Sequence, residues 1–282
     1  MPKAFLAWQS NTTRKAPKLD GSGSIVDRSD QPIGHKTAQL RLLNLIREGD
    51  TVWIAGRYRS ISDAPVSLVG KIVVADATRN GDMAYFRASD QSVWFPWNDA
   101  SYPLRQISLK SNKGNRCLDH ETDVAFQLQT TREVDENSYD LLSRCEADLM
   151  TRPTAFFSYN WSASSNLTRK ILPAIHTAGF GTWIDRWSGP RRFKDGRRYQ
   201  PEELVKQLLQ NAIASANVFI ALIGDRYETN NWTRYEMTVA EALRRPIKRL
   251  PAELLRKLPD QSAIDRLVSD EIGAQRAYGD LM

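Results

Sequence analysis

Two groups of residues in the second half of the chain have types and spacings that could support chemistry. Polar side chains follow two short apolar runs: Ser158, Tyr159 and Asn160 come after the first, and Asp185 ends the second. A basic segment comes next and contains Arg186, Arg191, Arg192, Lys194, Arg197 and Arg198, with Asp195 among them. Such a cluster attracts phosphates of a nucleotide, a nucleic acid or a lipid, although a solvated basic loop has the same composition.

Composition excludes several classes of protein. A hydrophobic content of 41% can build cores and excludes wholesale disorder. No run of about eighteen apolar residues predicts a membrane-spanning helix, and the first residues lack the apolar run of a secretory signal. Cys117 and Cys145 are too few for a disulfide framework, and the 3 His do not make a usual zinc site. We therefore expect a cytoplasmic protein of two domains, with no metal and no membrane contact.

Charge separates the two halves of the chain. The formal net charge is +6, and it lies wholly in residues 151–282, because acids and bases balance in residues 1–150. This asymmetry directs attention to the second half for any partner that carries phosphates.

Alternating strands and helices are predicted to position the polar residues of the second half. The predicted strands are 154–159, 182–185 and 217–223, and the predicted helices are 165–178 and 202–215. This alternation predicts a parallel sheet with right-handed crossovers. Sites in such sheets lie beyond the carboxyl ends of the strands, which is where the polar residues fall.

Four blocks of this half, in the same order, resemble the TIR (Toll/interleukin-1 receptor) domain family. AFFSYNWS resembles the family's first strand, and GFGTWIDR its second strand with the start of its BB loop. NVFIALIGDRY resembles the strand that is followed by a Tyr, and NWTRYEMTVAEAL carries a WxxxE spacing at Trp232 and Glu236. The match covers roughly residues 153–243 and implies a flavodoxin-like α/β fold.

The resemblance implies a catalytic role for Glu236. The family includes NAD+-cleaving enzymes and catalytically silent adaptors, and in the enzymes the Glu of WxxxE is catalytic. The chemistry agrees: nicotinamide leaves a pyridinium cation as a neutral molecule, so no general acid is required. One carboxylate can stabilise the charge that develops on the ribose. NAD+ would be the substrate and no cofactor is expected. The alternative is a surface glutamate that pairs with a helical neighbour.

The resemblance also implies which residues line the NAD+ site. Ser158, Tyr159, Asn160 and Trp161 follow the first strand, where NAD+-cleaving relatives contact the ligand. Trp161 could stack on adenine or nicotinamide.

Further positions carry two readings each. Trp232 shares a helix face with Glu236, so it either walls off the nicotinamide pocket or packs in the core. Asp185 is expected either to orient the BB loop or to take part directly in catalysis, and the structural role is favoured. Four arginines of that loop are expected to contact the NAD+ pyrophosphate or another copy of the domain: Arg191, Arg192, Arg197 and Arg198.

The chain departs from the family's pattern in three places. The BB-like loop, 186–200, is long and basic, and the third strand ends in Gly224 and Asp225 where a Ser is common. After Leu243 the segment RRPIKRLP has two prolines and is poor strand material. We expect a short sheet or an irregular last strand, followed by helices to the end of the chain.

The first half reads as a small β domain. Thr37 to Arg47 has helical spacing, residues 9–34 read as a mobile loop, and 124–128 as one last strand. Short runs separated by turn signals predict an antiparallel barrel or sandwich. These runs are 51–56, 66–74, 83–87, 92–95 and 104–109.

The order of these elements faintly resembles PUA/EVE-type barrels, some of which bind nucleic acids or modified bases. Trp53, Trp94, Phe95 and Trp97 could form a base-stacking platform, although such aromatics more often belong to a core. The balanced charge of this half also argues against strong non-specific binding of nucleic acid.

The sequence therefore predicts a β-rich sensing or assembly domain (1–130), a linker helix (131–151) and a TIR domain with a helical extension (152–282). The leading hypothesis is an NAD nucleosidase that releases nicotinamide and ADP-ribose or its cyclic form. Fusion to a second module suggests a bacterial anti-phage effector, activated by TIR–TIR assembly or by a ligand or nucleic acid at the first domain. The alternatives are a non-catalytic TIR interaction module and a nucleic-acid-binding protein that uses the N-terminal barrel.

Overall fold

The structure is a computed structural model that describes residues 2–8, 23–26, 32–57, 65–111, 114–118, 124–128, 130–160, 165–184 and 202–273. The described residues divide into two compact units. The first contains those within 2–95 and 99–150, and the second contains 96–98 and those within 151–273.

The first unit is built on an eight-stranded mixed sheet. The strands are β1 (Ala4–Trp8), β2 (Gly23–Val26), β3 (Pro32–Thr37), β4 (Thr51–Arg57), β5 (Val66–Asn80), β6 (Met83–Ala88), β7 (Val93–Trp94) and β10 (Arg132–Glu133). Along the sheet they run β10-β1-β4-β5-β6-β3-β2, with β7 paired to β5, and among these described strands only β1 and β4 pair in parallel. The smaller elements are β8 (Ser108–Leu109), β9 (Arg116–Cys117), α1 (Ser101–Leu104), α2 (Val124–Gln127), α3 (Glu136–Thr151) and a 3₁₀ turn (Leu40–Asn44).

Apolar side chains from the sheet and from α3 share one core in the first unit. Leu142 and Leu149 of α3 belong to the same cluster as Trp53 and Phe95, so the helix that we predicted as a linker packs into this unit. The Trp53 and Phe95 rings stack with their centroids 6.2 Å apart. Trp53 and Phe95 are at most 2% exposed, and so is Trp97, which belongs to the second unit. The base-stacking platform is therefore wrong for these three residues, whose rings lie in the interior.

His35 joins distant parts of the sheet in the first unit. Its Nε2 lies 3.2 Å from the hydroxyl of Thr131, just before β10, whereas His35 itself lies on β3 near the other end of the sheet. The sheet therefore curves round toward closure. The His35 ring is 3% exposed, and burial lowers its pKa from 6.5 to about 4.

This burial predicts acid sensitivity. Between about pH 6.5 and pH 4 the unfolded state binds a proton at His35 that the folded state excludes, so stability falls as the pH is lowered through that range. From pH 7.5 to pH 5 we expect a loss of about 2 kcal/mol from this residue. Denaturant unfolding at both pH values measures it. In His35→Gln the loss should shrink by that amount, whereas in His176→Gln, a partly buried histidine of the second unit, it should persist. An unchanged pH dependence in His35→Gln would refute the assignment.

Several elements of the first unit differ from the sequence-based expectations. The helix expected over 37–47 is only the 3₁₀ turn, because Thr37 completes β3 through its pairing with Ala84. The strand expected over 104–109 is split between α1 and β8, and the strand expected over 124–128 is helical. The expected loop over 9–34 contains β2 and part of β3, and its other residues lie outside the described ranges. The parallel pairing of β1 with β4 also departs from the all-antiparallel expectation.

The second unit is a parallel α/β structure. Its described strands are β11 (Thr154–Tyr159), β12 (Gly181–Trp183), β13 (Val218–Ile223) and β14 (Ile247–Pro251). They form a four-stranded sheet in the order β12-β11-β13-β14, and every neighbouring pair is parallel, as a flavodoxin-like fold requires. The helices are α4 (Ser165–Thr177), α5 (Glu202–Ser215), α6 (Asn231–Ala242), α7 (Ala252–Arg256) and α8 (Gln261–Gly273). The predicted α/β class is confirmed.

Helices cover both faces of this sheet. Phe156, Phe219 and Ala221 lie on the face that packs against α5 and α6. Helices α4, α7 and α8 contact one another or the strands on the other side. Both faces are apolar, which explains why β11 and β13 read as unbroken hydrophobic runs.

The strand β14 corrects the expectation of a poor last strand. It pairs in parallel with β13 over five residues, from Phe219 with Ile247 to Ile223 with Pro251. Proline is tolerated because the two prolines flank or end the strand, and the Pro246 carbonyl still accepts from the Phe219 amide at 2.9 Å. Leu250 is fully buried, so tertiary packing overrides the weak local propensity.

Candidate functional site

Glu236 lies in the interior of the second unit. Helix α6 begins after Asn230, whose side-chain oxygen accepts from the amides of Trp232 and Thr233 at 2.9 and 3.3 Å. This N-cap sets the start of the helix and hence the face on which Glu236 falls, one turn further along. The residue is only 7% exposed. The alternative of a surface glutamate is therefore wrong.

The carboxylate of Glu236 is held by a serine from the central strand. The Ser158 hydroxyl donates to Glu236 Oε2 at 2.6 Å, and Ser158 is 1% exposed. The short distance and the burial are typical of a charge-assisted hydrogen bond. A third group completes the cluster, because the Tyr227 hydroxyl lies 2.8 Å from the Ser158 oxygen.

This cluster occupies the place in the fold where a site is expected. Ser158 is near the carboxyl end of β11, and Tyr227 follows the carboxyl end of β13. The chain goes from β11 to β12 on one side and then returns to β13 on the other, so the strand order reverses between β11 and β13. Ligands of open α/β sheets bind at such a switch point. We name Ser158, Tyr227 and Glu236 the carboxylate cluster.

The loop from β13 to α6 is fixed by hydrogen bonds. The Thr233 hydroxyl, which is buried, donates to the backbone carbonyls of Tyr227 and Asn230. Arg226, just before Tyr227, adopts a left-handed conformation with φ 60°, which is uncommon outside glycine. The side-chain amide of Asn160 donates to the Asp225 carbonyl at 3.3 Å. These contacts tie the loop to the end of β11 and to the first turn of α6.

Electrostatics keep the tyrosine of the cluster protonated. Burial raises the pKa of Tyr227 above its ordinary value of 10.0, and the charge of Glu236 adds to this effect. The hydrogen bond between Tyr227 and Ser158 and the positive charge of Arg249 act in the opposite direction, but the net direction is upward. The Tyr227 hydroxyl is therefore a stable donor at neutral pH.

The structure brings together some of the predicted site residues and separates others. Ser158 meets Glu236, and Asn160 lies beside the loop that carries Tyr227. Tyr159 is buried and stacks on Phe157 at 5.4 Å. Neighbouring strand residues point to opposite faces, so Tyr159 lies on the face away from Ser158 and does not join the cluster.

Trp232 is partly buried on α6, with its ring at the edge of Tyr235, 6.3 Å between centroids. It belongs to the edge of the core cluster on the α5–α6 face. Of the other predicted ligand-lining residues, Trp161, Asp185, Arg191 and Arg192 lie outside the described residues.

Sequence reasoning missed Tyr227 and Thr233 as parts of the site. A signal for Tyr227 was present in the block NVFIALIGDRY, where a Tyr after the third strand is part of the family pattern. Thr233 sits inside the WxxxE block, but nothing in the spacing indicated that its hydroxyl would hold the backbone of Tyr227.

The cluster has a carboxylate and hydroxyls that can bind sugar hydroxyls. Within the described ranges, His, Cys, Asp and Glu side chains form no group of three or more that could hold a metal ion. Both cysteines are free thiols, with Cys117 exposed and Cys145 partly buried. One buried carboxylate with hydroxyl donors can accept hydrogen bonds from a ligand and stabilise a nearby positive charge.

Comparison with known proteins identifies the class of the second unit. Residues 156–280 match the family model described as TIR domain. The second unit of this chain is a TIR domain, in agreement with its parallel sheet and with the position of the WxxxE block. No curated protein matches the chain.

The family defines a coarse range of functions. TIR domains include enzymes that cleave NAD+ and members that signal without catalysis, and they commonly self-associate. Across the part of the chain that the structure describes, every helix is too short or too polar to span a bilayer.

Proposed function

We propose that the TIR domain cleaves the bond between nicotinamide and ribose in NAD+, with Glu236 as the catalytic residue. The observation that carries the proposal is the buried carboxylate of Glu236, fixed by Ser158 at 2.6 Å beside the switch point of a TIR sheet. A glutamate that only pairs with neighbours on the surface of a helix would be exposed. Glu236 is instead 7% exposed and accepts a hydrogen bond from Ser158 of β11.

The chemistry follows from the charge on the substrate. Cleavage breaks the C1′–N bond, and the electron pair neutralises the pyridinium nitrogen as nicotinamide leaves. The ribose becomes oxocarbenium-like, and the negative charge of Glu236 stabilises it while the carboxylate accepts from ribose hydroxyls. Water then adds at C1′ and releases a proton to give ADP-ribose, or an adenine nitrogen adds to give the cyclic form.

The proposal also assigns a role to self-association and to the first unit. TIR domains commonly self-associate, so NAD+ cleavage in a homo-oligomer with a shared site fits the fold. The proposed role is that of a cytoplasmic bacterial immune effector, which depletes NAD+ in response to phage. Such an effector combines the TIR domain with a sensing or assembly unit. In this proposal the β-rich first unit, whose trigger is an unidentified ligand or nucleic acid, has that role.

The experiment is nicotinamide release from NAD+ by the purified full chain at several protein concentrations. We expect one nicotinamide for each ADP-ribose or cyclic ADP-ribose formed, and a rate per protomer that rises with concentration because assembly completes the site. The assay is repeated with nucleic acid and with a crowding agent. Absence of release under all these conditions would contradict the proposal and favour the non-catalytic interaction module.

A further inference from the structure

We propose that Tyr227 is a positioning residue for Glu236 and acts through the hydroxyl of Ser158. The inference rests on the proposed NAD+ cleavage and extends it to a residue that acts on the catalytic carboxylate through Ser158. Its basis is the continuous line of oxygens in the carboxylate cluster, with 2.8 Å from Tyr227 to Ser158 and 2.6 Å from Ser158 to Glu236.

The number of protons on the three side chains fixes which group donates in each hydrogen bond. A serine hydroxyl carries one proton, and the carboxylate of Glu236 can only accept. Since Ser158 donates to Glu236, the hydrogen bond between Ser158 and Tyr227 must use the proton of the phenol. The order is therefore phenol to serine to carboxylate, and each donor strengthens the next.

Packing and backbone hydrogen bonds hold the side chains of Tyr227 and Ser158 in place. Tyr227 is 2% exposed, and its backbone carbonyl is bound by the hydroxyl of Thr233. Ser158 lies in the middle of the sheet, paired with Ala221 of β13, whose small side chain belongs to the same buried cluster as Tyr227. The phenol remains protonated because burial disfavours its ionised form.

Without the phenol, Ser158 would lose the bond that orients its proton toward Glu236. Its hydroxyl could then rotate to other acceptors, and the carboxylate would lose the donor that sets its rotamer. A catalytic group whose supporting hydrogen bonds are removed spends less time in the productive geometry. The loss should therefore fall on kcat, whereas KM should change little because Tyr227 is 2% exposed and presents almost no surface to a ligand.

A double-mutant cycle tests whether Tyr227 acts on Glu236 through Ser158. We expect Ser158→Ala to lower kcat about tenfold or more, as for loss of a hydrogen bond to a charged group. Tyr227→Phe, which removes a hydrogen bond between neutral groups, should lower kcat up to about tenfold. The variant with both changes should be no slower than Ser158→Ala, because the phenol acts only through the serine. KM should stay within about twofold, since uniform binding is untouched.

Tyr235→Phe is the matched control. Tyr235 is another tyrosine of this unit and is partly buried, but its hydroxyl donates to the backbone carbonyl of Lys206 at 3.3 Å. Its kcat should equal that of the wild type. Should Tyr227→Phe fail to fold, Ser158→Thr and Ser158→Ala make the comparison, and threonine, which keeps the hydroxyl, should retain more of kcat than alanine.

The outcomes separate the two proposals. If the wild-type chain shows no turnover under any of the assay conditions, both the proposed NAD+ cleavage and the role of Tyr227 are overturned. The role of Tyr227 alone is overturned if the wild-type chain turns over NAD+ and Tyr227→Phe is equally fast. It is also overturned if the losses of the two single variants add in the double variant. A higher kcat in Tyr227→Phe would also overturn it, because the cluster would then restrain Glu236 instead of positioning it.

Discussion

Replacing Glu236 with glutamine is expected to lower nicotinamide release from NAD+ by at least about 10²–10³-fold, the usual cost of losing a group that stabilises transition-state charge. Glutamine has nearly the same shape and keeps an oxygen that can accept from Ser158, so the hydrogen bond of the cluster can survive. What it lacks is the negative charge that stabilises the ribose cation. The measurement is the initial rate of nicotinamide release at saturating NAD+, together with the thermal unfolding midpoint.

Glu241→Gln is the matched control for this prediction. Glu241 lies on the same helix but is exposed, and its carboxylate is 3.7 Å from the guanidinium of Arg249. Exposed pairs of this kind contribute little to stability, so both rate and unfolding midpoint should stay close to the wild type. If Glu236→Gln keeps the wild-type rate in a chain that turns over NAD+, the catalytic assignment of Glu236 is wrong and another group supports the reaction.

Replacing Phe156 with alanine is expected to lower the free energy of unfolding of the second unit by about 3–5 kcal/mol, the range for deleting a buried aromatic ring. Phe156 is 1% exposed on β11 and is stacked between Trp183 and Phe219, with centroid distances of 4.7 and 5.4 Å. Removal of the ring leaves a cavity in the layer beneath α5, two residues before Ser158. Guanidinium unfolding followed by tryptophan fluorescence measures the change.

Leu254→Ala provides the comparison for a residue outside the core. Leu254 is 45% exposed on α7, so its loss should cost less than about 1 kcal/mol. Phe156→Leu should lie between the two, because leucine refills part of the cavity. Equal effects of Phe156→Ala and Leu254→Ala would contradict the position of Phe156 in a packed aromatic stack.

Local pattern predicted most of the second unit. The boundaries of β11 and α5 agree with the structure, and α4 differs by one residue. The strand is a short continuous apolar run, and the helices have apolar residues at helical spacing with clear signals at their ends. In the first unit the short elements were predicted less well. A 3₁₀ turn at 40–44 and one helical turn at 124–127 contain too few residues for a period to be distinguished.

β14 shows a different limit of local pattern. Its proline-flanked residues have weak strand propensity, and the strand forms because β13 offers a free row of backbone groups and a buried place for Leu250. Neither condition can be read from eight letters of sequence. Strand propensity depends on the surface against which the segment packs.

The sequence by itself determined the α/β class of the second unit, its TIR resemblance and the position of Glu236 in the WxxxE block. It could do so because these features depend on residue type and short spacing. Only the tertiary structure decided that Glu236 is buried, that Ser158 is its partner and that Tyr159 lies on the opposite face. Ser158, Tyr227 and Glu236 come from a strand, a loop and a helix separated by up to 78 positions. Their meeting depends on the order of the strands and on which helix covers which face, and the packing of the whole unit sets both.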